Sequence, residues 1–470
     1  MPTLQRHSQA KKKSNMKSRK AAIKEVNKVQ NKDMNKVDRI SMLPNDILIS
    51  IISRLPLREA TATSLLSSRW RHLYRYTTRL DLPPFKPDLG SVEQYLQQVQ
   101  EEKFPKYVRM INRFLDLHMG CGVVKEFRVN VPFLEGADIE RWLEFALARE
   151  VEIIDINIYG LLICIEEARI GYYRFGLANL IRKNGGKLLP GLKSLNKISL
   201  SYIQVDDEEL HFLLSNSPSL ESLSISQSKR LKNVRIVGRS MLKLKHLDIS
   251  FSRHIESIEV CDMTNLISLR CYLLPSTYVL KINNVPKLSN FSTRDVYQNT
   301  LAEILPTIPS SILGQLQRLD LRTSTGLIRD HPLPELVNVK HLEMKVFMGG
   351  TTSHLFSLIE ACRSLETVEI ELLSRPYLTV TMDGKIWVRP PRKKLSSNLK
   401  KLKLSRYVGC NEQLKFAVFI INNVVSLQEL IVEVETSDRT RRTMRRPKAT
   451  TLAYRQLSQI KSASCNLLII

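Results

Sequence analysis

At Ile40 the chain changes from polar to amphipathic. Ile40, Leu43, Ile47, Leu48, Ile51, Ile52 and Leu55 recur at steps of three and four residues, the spacing of one helix face. Pro44 suits a first helical turn, Asp46 complements the positive end of the helix dipole, and Pro56 stops the helix. A second apolar set, Leu57, Ala60, Leu65 and Leu66, runs into Trp70, Leu73 and Tyr74 and predicts two more short helices before Pro83-Pro84. This is a compact helical module of about forty-five residues, small enough that a partner helps to stabilise it. It has more aliphatic side chains than it can cover, and an exposed apolar patch marks an interface or packs onto the rest of the chain.

Beyond a mixed stretch, Val108, Ile111, Phe114, Leu115 and His118 predict a helix. Lys125–Val131 then reads as a strand, Asp138–Ala148 as a helix and Val151–Ile158 as a strand. Strand and helix alternating at this pace imply right-handed units stacked side by side. From Leu192 onward the chain repeats a loose L-x-x-L-x-L phrase, as in Leu195-Ile198-Leu200, Leu220-Leu223-Ile225, Leu316-Leu319-Leu321 and Leu427-Leu430-Val432; ten copies predict a solenoid. From Leu220 through Leu231 and Leu244 to Ile255 the phrase starts lie 11, 13 and 11 residues apart. Two phrases therefore fill one leucine-rich coil of roughly 20–29 residues, with a short strand on each face. Wider spacings elsewhere leave room for helices such as Asp206–Leu214 and Ser353–Cys362. The Asn or Cys that ordinarily ties successive coils together is replaced by Ser228, Arg239, Ser252 and Met263, so the coils should be irregular.

Composition changes this picture in two ways. Seventy-one Lys and Arg against 46 Asp and Glu give a net charge of +25, which attracts acidic proteins, nucleic acid or anionic lipid without choosing among them. Residues 1–36 hold eleven of these cations and two acids with almost no large apolar side chains, the composition of a flexible tail. Within it Lys11, Lys12, Lys13, Lys17, Arg19 and Lys20 form a candidate nuclear-import cluster, against the alternative of a solvated basic arm. Two further basic clusters, at 389–394 and 439–448, lack close aromatic partners for base stacking; nucleic acid is the competing partner class, not the one expected as the main partner.

Chemistry is sparse. The seven cysteines are scattered without a C-x-x-C pair and read as reduced core thiols; Cys362, just before a repeat strand, is expected to be buried and inert. No phosphate-cradling, metalloprotease or nucleophile-elbow motif is present, so no cofactor, metal or catalytic residue is assigned. His246 and His341 precede leucines of their phrases and read as surface positions. The first residues lack the apolar core of a secretory signal and no apolar run approaches the ~18 residues of a membrane span, so the expectation is nucleus and/or cytoplasm and no membrane partner.

Leu43-Pro44-Asn45-Asp46-Ile47-Leu48, then Leu55-Pro56-Leu57-Arg58-Glu59-Ala60, then Ser64 through Tyr74 around Trp70 resemble the F-box of plant F-box/leucine-rich-repeat proteins. Tyr107–Arg128 and Asp138–Leu143 are similar to the first repeat region of that family, and Leu399–Val434 to its C-terminal FBD-like segment. The resemblance implies an α/β chain in which a three-helix F-box is followed by an irregular leucine-rich-repeat solenoid of parallel strands, with helices or second short strands in each coil. The expected divisions are the tail at 1–36, the F-box at 37–82, a linker at 83–106, the solenoid at 107–398 and an FBD-like segment at 399–470 that completes it. It further implies a non-catalytic substrate-recognition subunit of a ubiquitin ligase, bound to a Skp-type adaptor and through it to a cullin, with an unknown protein substrate on the repeats. The adaptor contacts carried over are Leu43, Pro44, Ile47, Ile51, Leu55, Pro56, Leu65, Leu66 and Trp70.

Overall fold

The computed structural model describes residues 39–40, 42–85, 103–118, 124–131, 136–158, 173–238, 243–250, 254–271, 279–294, 305–324, 333–347, 353–373, 395, 397–435, 446–458 and 465–470. They fall into two compact units, one ending at Arg79 and one comprising most of the chain after it. The tail, its basic cluster, the basic cluster at 389–394 and all but the last three residues of that at 439–448 lie outside the described residues.

In the first unit a helix runs Asn45–Ile52, one residue later than Pro44 suggested, with the proline at the N-cap and Asp46 in the first turn. Pro56 caps the next helix, Leu57–Ala62, and tight 3-10 turns follow at Thr63–Leu65 and Trp70–Tyr76. The apolar stripe folds onto a core of Leu48, Ile52, Ala60, Trp70 and Leu73, with Leu43, Ile49, Leu55 and Tyr74 packed against it. Arg69 binds the start of the first helix through the Asn45 side chain (3.1 and 2.9 Å) and the Leu43 carbonyl, holding the third segment to the first. The buried Ser53 hydroxyl accepts from the Thr78 amide at 3.0 Å.

In the second unit, one sheet orders fourteen of the described strands, from Arg79–Asp81 to Asn466–Ile469, with those of this sheet following one another in chain order. From Glu126–Val131 onward each strand of this sheet pairs parallel with the next, as in a solenoid. All ten sequence phrases lie buried, and the last two residues of each sit in a strand. A second parallel sheet of three strands, Asn233–Val237, Ser257–Cys261 and Val279–Asn283, alternates with the first along the chain. The first two of these strands belong to the coils in which phrases recur at half the usual spacing, and each of those coils holds two strands.

Leu80, Leu82 and Phe85 are buried in the repeat unit, and a helix begins at Lys103. Phe85, Phe104 and Tyr107 pack their rings 5.0–5.8 Å apart, and the Tyr107 hydroxyl donates to the Pro83 carbonyl at 2.6 Å.

Coils are tied by several polar side chains in place of one repeated residue. The Ser228 hydroxyl accepts from the Val205 amide (3.0 Å) and donates to its carbonyl (2.9 Å), doing at one turn what a ladder Asn would do. Gln204 accepts from the Lys229 amide at 2.6 Å. Asp207 accepts from the amides of Lys232 and Asn233. Met263, at the corresponding place, is buried and apolar, while Arg239 and Ser252 lie outside the described residues. Tyr202, Gln227, Asp262 and Asn284, each directly after a strand, take a left-handed conformation with φ of 51–64°. The amides of the first three then reach a carbonyl in the next coil. Helix Asp207–Asn216 is closed by a capping box in which Asp206 and Glu209 satisfy each other's backbone amides.

Candidate functional site

Two surfaces carry candidate function, one in each unit. In the first unit the helix Asn45–Ile52 places Leu48 and Ile52 inward, while Ile47 and Ile51, one residue earlier in each turn, stay 44% and 41% exposed. The turn after the second helix lifts Leu65 and Leu66 into solvent, 88% and 66% exposed, and Ile40 and Met42 are 57% and 73% exposed. Pro44 and Pro56 are also exposed. Six large aliphatic side chains thus stay open to solvent on a module that already has a core, and desolvating them is the main free energy such a surface can offer a partner.

The sequence-derived contact residues divide into three groups. Pro44, Ile47, Ile51, Pro56, Leu65 and Leu66 are exposed. Leu43 and Leu55 are half-buried against the core. Trp70 is 4% exposed and belongs to the core itself, so its indole supports the surface from beneath and presents no face to a partner. Met42 is the exposed side chain that periodicity did not single out, because it falls between the residues of the helix stripe. It could have been found as a large apolar residue beside the helix-starting proline.

In the second unit the strands of the long sheet alternate, aliphatic residues inward and polar residues on the open face. Register aligns the open positions into rows; the central one runs Ser199, Ser224, Asp248, Arg270, Ser292, Asp320, Glu343, Glu369 and Lys403. Part of this face forms a groove of about 430 Å³, lined by Ser199, Ser224, His246, Asp248, Arg270 and Asp320 among others. A bonded chain crosses it: Arg270 donates to Asp248 (3.1 Å) and to Ser292 (3.3 Å), and Ser292 donates to Asp320 (2.8 Å). Further along, Arg318 pairs with Glu343 at 3.0 Å, Lys345 with Glu371 at 2.9 Å and Lys403 with Glu433 at 2.9 Å, while Arg406 pairs with Glu435. The Glu433 carboxyl is held below the usual carboxylate range by the Lys403 ammonium and then by the Ser405 hydroxyl. His246 and His341 are exposed on this face, beside Ser268 and Thr367.

Nucleophilic chemistry finds no support at the cysteines among the described residues. Cys362 is wholly buried, which pushes its thiol up to about 12, so at neutral pH it is a protonated core side chain. Cys271, Cys410 and Cys465 are likewise buried, and Cys261 is half-buried. Among the described residues no cluster of His, Cys, Asp and Glu could hold a metal, and no helix is long and apolar enough to cross a membrane.

Comparison with known proteins gives two domain matches: the F-box domain over residues 40–73, and the At1g61320/AtMIF1 LRR domain over residues 114–469. The chain is 26% identical over 417 residues to the FBD-associated F-box protein At5g38590 of Arabidopsis thaliana, covering 86% of this chain and 95% of that one. It is 29% identical over 329 residues to the F-box/LRR-repeat protein At3g03360 of the same plant, covering 66% and 63%. The F-box/FBD/LRR-repeat protein At5g53840 shares 24% identity over 424 residues, covering 85% and 88%.

Proposed function

Because the chain belongs to the F-box/leucine-rich-repeat family, we propose that it is the substrate-recognition subunit of a Skp-cullin-F-box ubiquitin ligase. The helical module docks on a Skp-type adaptor, the adaptor links it to a cullin, and the open face of the repeat sheet holds a protein target. The observation that carries this reading is the set of exposed aliphatic side chains on the module, Ile47, Ile51, Leu65 and Leu66 foremost. The role is one of proximity: a target held beside the charged ubiquitin carrier reacts at a raised effective concentration, without a reacting group from this chain.

Calorimetric titration of the full chain with a purified Skp-type adaptor tests it. Leu65→Asp and Ile51→Asp place an unpaired charge in the interface and should each weaken binding by about 2–4 kcal/mol, a factor of roughly 30 to 1,000. Leu65 is the cleaner site, because it touches no core and its replacement leaves circular dichroism unchanged. Absence of binding by the unaltered chain, or full binding by a folded Leu65→Asp variant, removes the reading. We further place the protein in the nucleus and/or cytoplasm on the strength of the Lys11–Lys20 cluster. Nuclear accumulation of a fluorescent fusion that survives Lys11–Lys13→Ala replacement would take the cluster out of that argument.

A further inference from the structure

The two units handle charge differently. On the open face of the repeat sheet, Arg270, Arg318, Lys345 and Lys403 each meet a carboxylate on a neighbouring strand. Residues 39–79 hold seven arginines and no lysine against two acids, Asp46 and Glu59, a formal charge of +5. Arg54, Arg58 and Arg71 are exposed and, among the described residues, make no ion pair. Two of these stand close along the chain to the exposed aliphatic residues. Arg54 lies in the turn that directly follows the helix, three residues after the exposed Ile51, and its amide donates to the Ile51 carbonyl at 3.1 Å. Arg58 stands in the second helix next to the exposed Pro56 and seven residues before Leu65.

We propose that the partner face covering this surface is a protein face that carries carboxylates around an apolar centre, with Arg54 and Arg58 meeting those carboxylates at the rim. This rests on the reading of the module as the adaptor-docking unit and adds the chemistry by which the adaptor is recognised. A phosphate backbone would supply negative charge but no aliphatic surface to cover Ile47, Ile51, Leu65 and Leu66, which selects a protein over a nucleic acid. In such an interface the apolar centre sets how slowly the complex dissociates. The rim charges steer the encounter and fall away once salt shortens the screening length below the reach of the pair.

The test is the kinetics of association between the full chain and a purified Skp-type adaptor, measured at about 0.05 M and about 0.5 M salt. The unaltered chain should lose about tenfold or more in association rate across that range, the behaviour of a steered encounter. Arg54→Glu/Arg58→Glu should associate about tenfold more slowly at low salt, converge with the unaltered chain at high salt, and dissociate within about twofold of it. Leu65→Asp should be weakened at both salts, chiefly through faster dissociation. If the adaptor binds at a rate that neither salt nor the double reversal changes, the electrostatic inference is wrong and the adaptor reading stands. If the unaltered chain does not bind at either salt, both fall together. If duplex RNA or DNA displaces the adaptor and the double reversal abolishes that displacement, the arginines belong to a nucleic-acid site and the inference is overturned.

Discussion

Ser228 lies fully buried with its hydroxyl between the amide and the carbonyl of Val205, one coil away. Ser228→Ala leaves both backbone groups without that partner in a dry interior, at a cost of about 2–3 kcal/mol. Thermal unfolding should show a drop of several degrees, and an unchanged midpoint would mean that the hydroxyl ties nothing. Gly238 is constrained by space: a Cβ there would stand 1.9 Å from the Asp262 carbonyl oxygen, so Gly238→Ala must push two coils apart. At the module, Trp70→Ala and Leu65→Ala separate two ways of losing a partner. Removing the buried indole costs about 3–5 kcal/mol of the module's own stability, whereas removing Leu65 takes apolar area only from the exposed surface. Circular dichroism and adaptor titration together should show the first variant unfolded or loosened and the second folded but weaker; loss of fold in both would mean Leu65 is part of the core.

At the scale of the strand, the charged rows matter collectively. Each pair is partly exposed and contributes at most about 1 kcal/mol, less at high salt. The Lys403–Glu433 contact, supported by Ser405, nevertheless gives the sheet a pH dependence of known sign. The Glu433 carboxyl titrates lower in the folded state than in the unfolded one. Its contribution is therefore present above the ordinary glutamate range and lost as pH falls through the folded value. Unfolding midpoints measured from about pH 6 to about pH 3 should fall less steeply for Glu433→Gln than for the unaltered chain. Parallel curves would show that the carboxylate is equally solvated in both states. The same pairing affects binding, because a target that covers these rows must replace contacts the charges already make, whereas Ser199, Ser224 and their neighbours in the groove present hydroxyls on short side chains.

For the whole molecule, the proposed function puts adaptor docking and target choice on different stretches of chain, one in each compact unit. Fusing residues 80–470 behind an unrelated F-box should keep the targets recovered with the full chain, because Leu80, Leu82 and Phe85 belong to the repeat core and travel with it. Cutting at residue 86 instead should lower the thermal stability of the repeats, since it removes Phe85 from the ring cluster with Phe104 and Tyr107. Targets that follow the F-box and not the repeats would reverse the assignment. Equal stability of the two fusions would put the start of the repeat unit after residue 86.

The amphipathic module and the solenoid, including coils with a strand on each face, were legible in the sequence because each rests on a local hydrophobic period. A three-to-four-residue step or an L-x-x-L-x-L phrase states which side chains are covered before any partner strand is known. Ser268–Cys271, Asn290–Arg294 and Val279–Asn283 escaped that reading, the first two because Cys271 and Thr293 stand where the phrase has an aliphatic residue. The candidate surface was legible as a stripe but not as an orientation. Ile47 and Leu48, or Ile51 and Ile52, are adjacent aliphatic residues of similar hydrophobicity, and only the packing against Trp70 and Ala60 turns one of each pair inward and leaves the other to a partner. Trp70 itself looked as suitable for an interface as for a core. The charge rows and the Ser228 bridge depend on register between residues 22 to 30 positions apart, a relation that only the tertiary structure sets, since a strand specifies which way its side chains point but not which neighbour they will meet.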